Sequence, residues 1–133
     1  HRQSSAASDV YKRQVGNKIL EIIDRDKLEE NASELGKFFL RELKKIQSKY
    51  PNTINTIRGI GLMIGIEMNK EIKSFDKKVP TSIQWVSALH EVGLLTIPAG
   101  DSIVRFLPPL NLTQNEAQDG LDLFEKTIKK LTS

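Results

Sequence analysis

Apolar and polar positions divide the chain into helical and extended stretches. From Lys27 to Tyr50, apolar residues fall at Leu28, Ala32, Leu35, Phe39, Leu43 and Ile46, in steps of three and four. Glu30, Glu34, Lys37, Arg41, Lys44 and Lys45 lie off that stripe. Such spacing predicts a long amphipathic helix, and acids early with bases late suit its dipole. Gly36 in the middle costs about 1 kcal/mol relative to alanine, which points to close packing there. Pro51 and Asn52 end the helix. Upstream, Val15 to Ile23 reads as the end of another helix, with Asp24 or Asp26 placed to cap the long one.

Two β-like runs come next, Ile54 to Ile57 and Leu62 to Met68, joined by Arg58-Gly59-Ile60-Gly61. In the second, Leu62, Ile64, Ile66 and Met68 share a face opposite Met63, Gly65 and Glu67. That alternation predicts a half-buried strand covered by helices on its apolar side. The Arg-Gly-Ile-Gly joint lacks the lysine and helix start of a phosphate loop and reads as a bend, its glycines allowing conformations a side chain would forbid. Asn69 to Val79 is a charged surface loop. Pro80-Thr81-Ser82 starts a short helix through Val92, with Ile83, Trp85, Val86 and Leu89 inward and Gly93 at its C-cap. Leu94 to Ile97 is a short strand.

Gly100-Asp101 then opens a run of β-formers that Pro108-Pro109 closes. Alternation sets Ile103, Arg105 and Leu107 on one face, Val104 and Phe106 on the other. With both faces apolar, this predicts an interior strand bearing one guanidinium on a face that otherwise excludes water. Thr113 to Glu116 matches a capping box, and the helix it starts carries Ala117, Leu121, Phe124, Ile128 and Leu131. The element order argues for an α+β fold: a small, mainly antiparallel sheet with helices on one face.

Composition narrows the function classes. The 133 residues are enough for one domain with a real core. There is no cysteine, hence no disulfide framework or thiolate chemistry. No apolar run approaches the roughly 20 residues of a membrane span, so a cytoplasmic protein without a membrane partner is expected. Residues 1–14 are polar, Ser/Ala-rich and aperiodic, and resemble an adaptor-derived peptide. They are set aside from fold reasoning, leaving 15–133 as the domain. They also supply +2 of the formal +3 charge, so the remainder has no nucleic-acid footprint. One histidine, His90, lies outside this leader, in the last turn of a helix, where dipole or surface roles outweigh catalysis. No metal-ligand cluster and no nucleophile–base–acid pattern is present. Phe38, Phe39 and Trp85 read as core.

The residue with chemistry to explain is Arg105. A guanidinium held away from water needs an anion, and its planar fork suits a carboxylate. That anion is either an internal acid, Glu67 or Asp101, or a ligand. Arg58 reads as a clamp on nearby carbonyls or on Glu67. Should the Arg105 side chain stand out in solvent, or be locked by an internal acid with no open approach, the ligand role falls and only family likeness is left.

Such a likeness exists. Arg58-Gly59-Ile60-Gly61-Leu62-Met63-Ile64-Gly65-Ile66-Glu67 resembles a segment of class III aminotransferases, and Gly93 to Leu110 resembles their C-terminal segment. The acetylornithine and ornithine branch is the most similar. The resemblance covers Val15 to the end and implies the C-terminal small domain of a fold type I enzyme that uses pyridoxal phosphate as a homodimer. It implies an amino-acid and 2-oxo-acid substrate pair, with Arg105 on the substrate α-carboxylate. The cofactor-bonding lysine, the aspartate facing the pyridine nitrogen and the phosphate loops would lie upstream. No catalytic, cofactor-binding or metal-binding residue is therefore assigned here, and the chain alone is expected to be inactive. The alternative is a free-standing α+β domain that binds a carboxylate or another protein without catalysis.

Overall fold

A computed structural model describes residues 28–133. The leader, the Val15–Ile23 helix and both candidate capping aspartates lie outside the described residues. Helix α1 (Leu28–Lys49) buries Ala32, Leu35, Gly36, Phe39, Leu43 and Ile46, the predicted stripe with Leu28 half-buried at its start. Strands β1 (Ile54–Ile60) and β2 (Met63–Met68) come next, then helix α2 (Thr81–Glu91), strands β3 (Thr96–Ala99) and β4 (Ile103–Phe106), and helix α3 (Gln114–Thr132). The four strands pair antiparallel throughout in the order β1-β2-β4-β3. The fold is α+β, as the element order predicts.

The helices pack on one face of this sheet. Ile64, Ile66, Met68, Val104 and Phe106 join Phe39, Leu43, Phe124 and Ile128 in one buried cluster. Phe106 on β4 meets Phe39 of α1 and Phe124 of α3 edge to face, with ring centres 6.4 and 5.2 Å apart. Such pairs add about 0.5–1.5 kcal/mol each beyond the apolar area they bury.

Several boundaries differ from the sequence pattern, each for a local reason. The Arg-Gly-Ile stretch belongs to β1, and only Gly61 and Leu62 turn the chain, since Ile60 pairs with Met63. Gly61 has φ 56°, the positive value that a primed two-residue hairpin turn needs at its first central position. Gly59 has no such angle; a Cβ there would sit 3.1 Å from Leu40 Cδ2, so it serves close packing instead. Strand β3 starts at Thr96, two residues late, because Gly93 (φ 90°) and Leu94 finish α2 in a Schellman motif. Gly93 N–H donates to His90 O at 3.0 Å and Leu94 N–H to Leu89 O at 2.9 Å. Ile83 is 48% exposed while Trp85 is fully buried, so the inward face of α2 is Ser82, Trp85, Val86 and Leu89. Ser82 turns inward because its hydroxyl donates to Gly100 O at 2.7 Å and its N–H to Asp101 O at 2.9 Å. These two bonds tie the start of α2 to the tip of the β3–β4 hairpin.

The sheet's two outer strands are irregular. β1 carries a register shift between Ile54 and Thr56, and β3 carries Pro98 opposite Val104. Beyond β4, Asn31 on α1 donates to Leu110 O at 2.9 Å and Leu112 O at 3.2 Å, fixing the path after the prolines. The Thr113 capping box then starts α3: the Thr113 hydroxyl accepts from Glu116 N–H, and the Glu116 carboxylate accepts from Thr113 N–H, both at 3.1 Å.

This packing has measurable consequences. A Cβ at Gly36 would lie 2.1 Å from the backbone oxygen of Gly61, which cannot retreat without moving the hairpin. Gly36→Ala should therefore destabilise by about 1–3 kcal/mol in urea unfolding, despite alanine's better helix propensity of about 1 kcal/mol. The bonds from Thr113, the backbone one foremost, hold the Glu116 carboxyl below its ordinary pKa of 4.5. A depressed folded-state value gives stability present above the unfolded pKa and lost as pH falls through the folded one. Glu116→Gln should remove that part of the acid limb in thermal melts taken from pH 6 downward.

Candidate functional site

Strand register assembles the candidate site. Arg58 pairs with Gly65, Gly65 with Arg105, and Arg105 with Ile97, so the four form one row across the sheet. Cross-strand partners share a face, and this is the face away from the helices. A groove of about 290 Å³ runs along it, lined by Arg58, Gly59, Ile60, Met63, Ile64, Gly65, Arg105 and Leu107. Its wall is apolar on one side, with Ile60 87% and Met63 67% exposed.

Arg105 stands in the interior of the sheet, as expected, but not behind a water-excluding wall. It is exposed, as are Leu107 and Ile97 on the same face, because all described helices cover the Val104 and Phe106 side. The internal-acid alternative is also not realised. Ion pairs among the described residues join Lys45 to Glu42 and Lys49 to Glu125, and neither Glu67 nor Asp101 is paired with Arg105. Arg58 likewise has no clamp: it is exposed, and no described carbonyl or carboxylate is bonded to it. With Arg105 out in solvent, the ligand role read from an apolar wall falls, and only the family likeness is left for it.

The groove holds no lysine that could bond pyridoxal phosphate. All described lysines are exposed on helix faces or the 69–79 loop, and none lines the groove. A larger hollow of about 790 Å³ lies under that loop, between Lys70 and Thr81 and beside Asp101, away from the arginine row. His90 is exposed, and its Nε2 lies 2.9 Å from Thr96 O, joining the end of α2 to β3 outside the groove. Among the described residues no group of three or more His, Cys, Asp or Glu could hold a metal ion, and no helix is long and apolar enough to cross a membrane.

The sequence pattern missed the partnership of Arg58 with Arg105. The signal was parity: extending β1 through Arg58 with a two-residue turn at Gly61-Leu62 aligns Arg58 with Gly65 and hence with Arg105. Treating Arg58 as part of a bend concealed it.

An antiparallel four-stranded sheet with helices on one face is shared with solved structures over most of this chain. The model for class-III aminotransferases matches residues 7–128, and the chain belongs to that family. An acetylornithine aminotransferase of Lactococcus lactis is 42% identical over 113 residues, covering 84% of this chain and 27% of that protein. The crystal structure of the acetylornithine aminotransferase from Elizabethkingia anophelis superimposes with a TM-score of 0.73 at 34% identity, over 84% of this chain and 26% of that one. An alanine/serine racemase of Pyrococcus horikoshii is 38% identical over 112 residues, covering 83% of this chain and 23% of that protein. The chain thus spans about a quarter of the length of the relatives it matches.

The open floor between the arginines is itself testable. Gly65 has no positive φ, and a Cβ there would meet only Ile103 Cγ2, at an ordinary 3.8 Å. Gly65→Ala should therefore fold and gain up to about 1 kcal/mol, the opposite sign to Gly36→Ala, measured in the same urea titration.

Proposed function

We propose that this chain is the C-terminal part of a pyridoxal-phosphate-dependent transaminase, with acetylornithine or a related ω-amino acid as amino donor and 2-oxoglutarate as acceptor. The products from acetylornithine would be N-acetylglutamate semialdehyde and glutamate, a step of arginine biosynthesis. The reading includes a cytoplasmic homodimer and residues 15–133 as the small domain. Membership of the class-III family supports the reaction class, and similarity to acetylornithine aminotransferases supports the donor. The racemase relative is comparably similar over this segment, so donor and reaction type depend on residues outside it.

The cofactor supplies the electron sink when bound, and no lysine described here is offered for that task. The part this chain contributes is orientation. Arg105 projects a bidentate fork from a rigid interior strand, its stem flanked by Leu107 and Gly65. The fork holds the substrate α-carboxylate in a fixed direction, which lowers the entropic cost of aligning the reacting carbon. Without the cofactor lysine, the 133 residues alone turn nothing over.

The observation that carries this reading is the similarity of this segment to acetylornithine aminotransferases, 42% identical over 113 residues in one of them. In the complete gene product, Arg105→Lys should weaken use of the amino acid by about 2–5 kcal/mol in kcat/KM, because a point charge replaces a fork. Unchanged kinetics in both half-reactions would remove Arg105 from the substrate site.

A further inference from the structure

The groove holds a second guanidinium that the role of Arg105 leaves without a task. Arg58 and Arg105 flank Gly65 on the same face, and no acid lines the groove. Neither backbone conformation nor packing demands glycine at position 65. Glycine within a strand weakens it, so what position 65 contributes is the bare floor between two forks.

Two strand spacings of about 5 Å set the Arg58 and Arg105 Cα atoms about 10 Å apart. In open water that is one Debye length at about 0.1 M salt, and the two charges disturb each other little. Under a cover they must each find an anion, because an uncompensated guanidinium away from water is costly. Cover is expected: the matched relatives are about four times as long, and exposed Ile60, Met63, Ile97 and Leu107 surround the row. One substrate α-carboxylate can satisfy Arg105 and leaves Arg58 over.

We propose that Arg58 is a second carboxylate-binding residue of the Arg105 site, so that two carboxylates lie side by side above Gly65, one on each fork. The proposal rests on the reading of Arg105 and adds a residue to it. The second carboxylate comes from one of two sources: the other acid group of a dicarboxylic substrate, or an Asp or Glu side chain of the polypeptide covering the face.

The test uses the complete, cofactor-loaded enzyme with Arg58→Gln, Arg58→Lys and Arg105→Gln. Arg58 has no bonded partner among the described residues, so its replacement should not prevent folding. Glutarate and butyrate serve as inhibitors competing with the 2-oxo acid, and melting is monitored at low and high salt. If the substrate supplies the carboxylate, Arg58→Gln weakens glutarate about tenfold or more, leaves butyrate within about twofold, and Arg58→Lys recovers part of the loss. If a side chain supplies it, both inhibitors hold within about twofold while melting falls by several degrees, a fall that about 1 M salt abolishes. Either result supports the site and names its source. Unchanged inhibition together with unchanged melting in Arg58→Gln overturns it. Arg105→Gln separates the underlying reading: should it leave both inhibitors unaffected while Arg58→Gln does not, the assignment of Arg105 fails and the Arg58 site stands.

Discussion

The contact on which the rest of the structure depends is the aromatic column Phe39–Phe106–Phe124, which joins α1, β4 and α3 through one side chain of an interior strand. Strand geometry allows no freedom about the neighbours of Phe106. With Phe106 and Val104 packed under the helices, Arg105 must project from the opposite face. The position of Arg105 is therefore settled by packing that it takes no part in. A slip of one residue in β4 would drive the guanidinium into the core and bring Phe106 to the surface, so the apolar column also guards the register.

The same economy places the glycines. Gly36 lets α1 approach the carbonyl of Gly61, and Gly61 in turn takes the positive φ that reverses the chain between β1 and β2. A helix, a turn and a pair of strands are brought into register at one point of close approach. Gly65, by contrast, is not needed for either purpose.

Much of this was legible in the pattern of residues. Steps of three and four gave both long helices and their buried stripes, alternation gave the dry face of β2, and Thr113–Glu116 gave the cap. What the pattern could not supply was neighbourhood. Ile103, Arg105 and Leu107 read as a face that excludes water because two of the three are apolar, yet no described element covers that face. Ile83 reads as core because it is apolar, and Ser82 does not because it is polar. The hairpin tip that accepts both Ser82 bonds lies 18 residues further along the chain, beyond the reach of any local rule. The link between Arg58 and Arg105 is likewise a matter of pairing across three strands.

The two rims of the sheet govern how another chain can approach. A strand at a rim offers unpaired amides to any passing chain, and continuous, flat rims invite stacking into fibres. Here one rim is kinked by the shift near Thr56, and the other is interrupted by Pro98, which has no amide proton to offer. Growth sideways is thereby discouraged on both flanks, while the broad surface bearing the arginines stays accessible from above. A polypeptide approaching this one is steered to lie across the strands, over the face that bears the arginines.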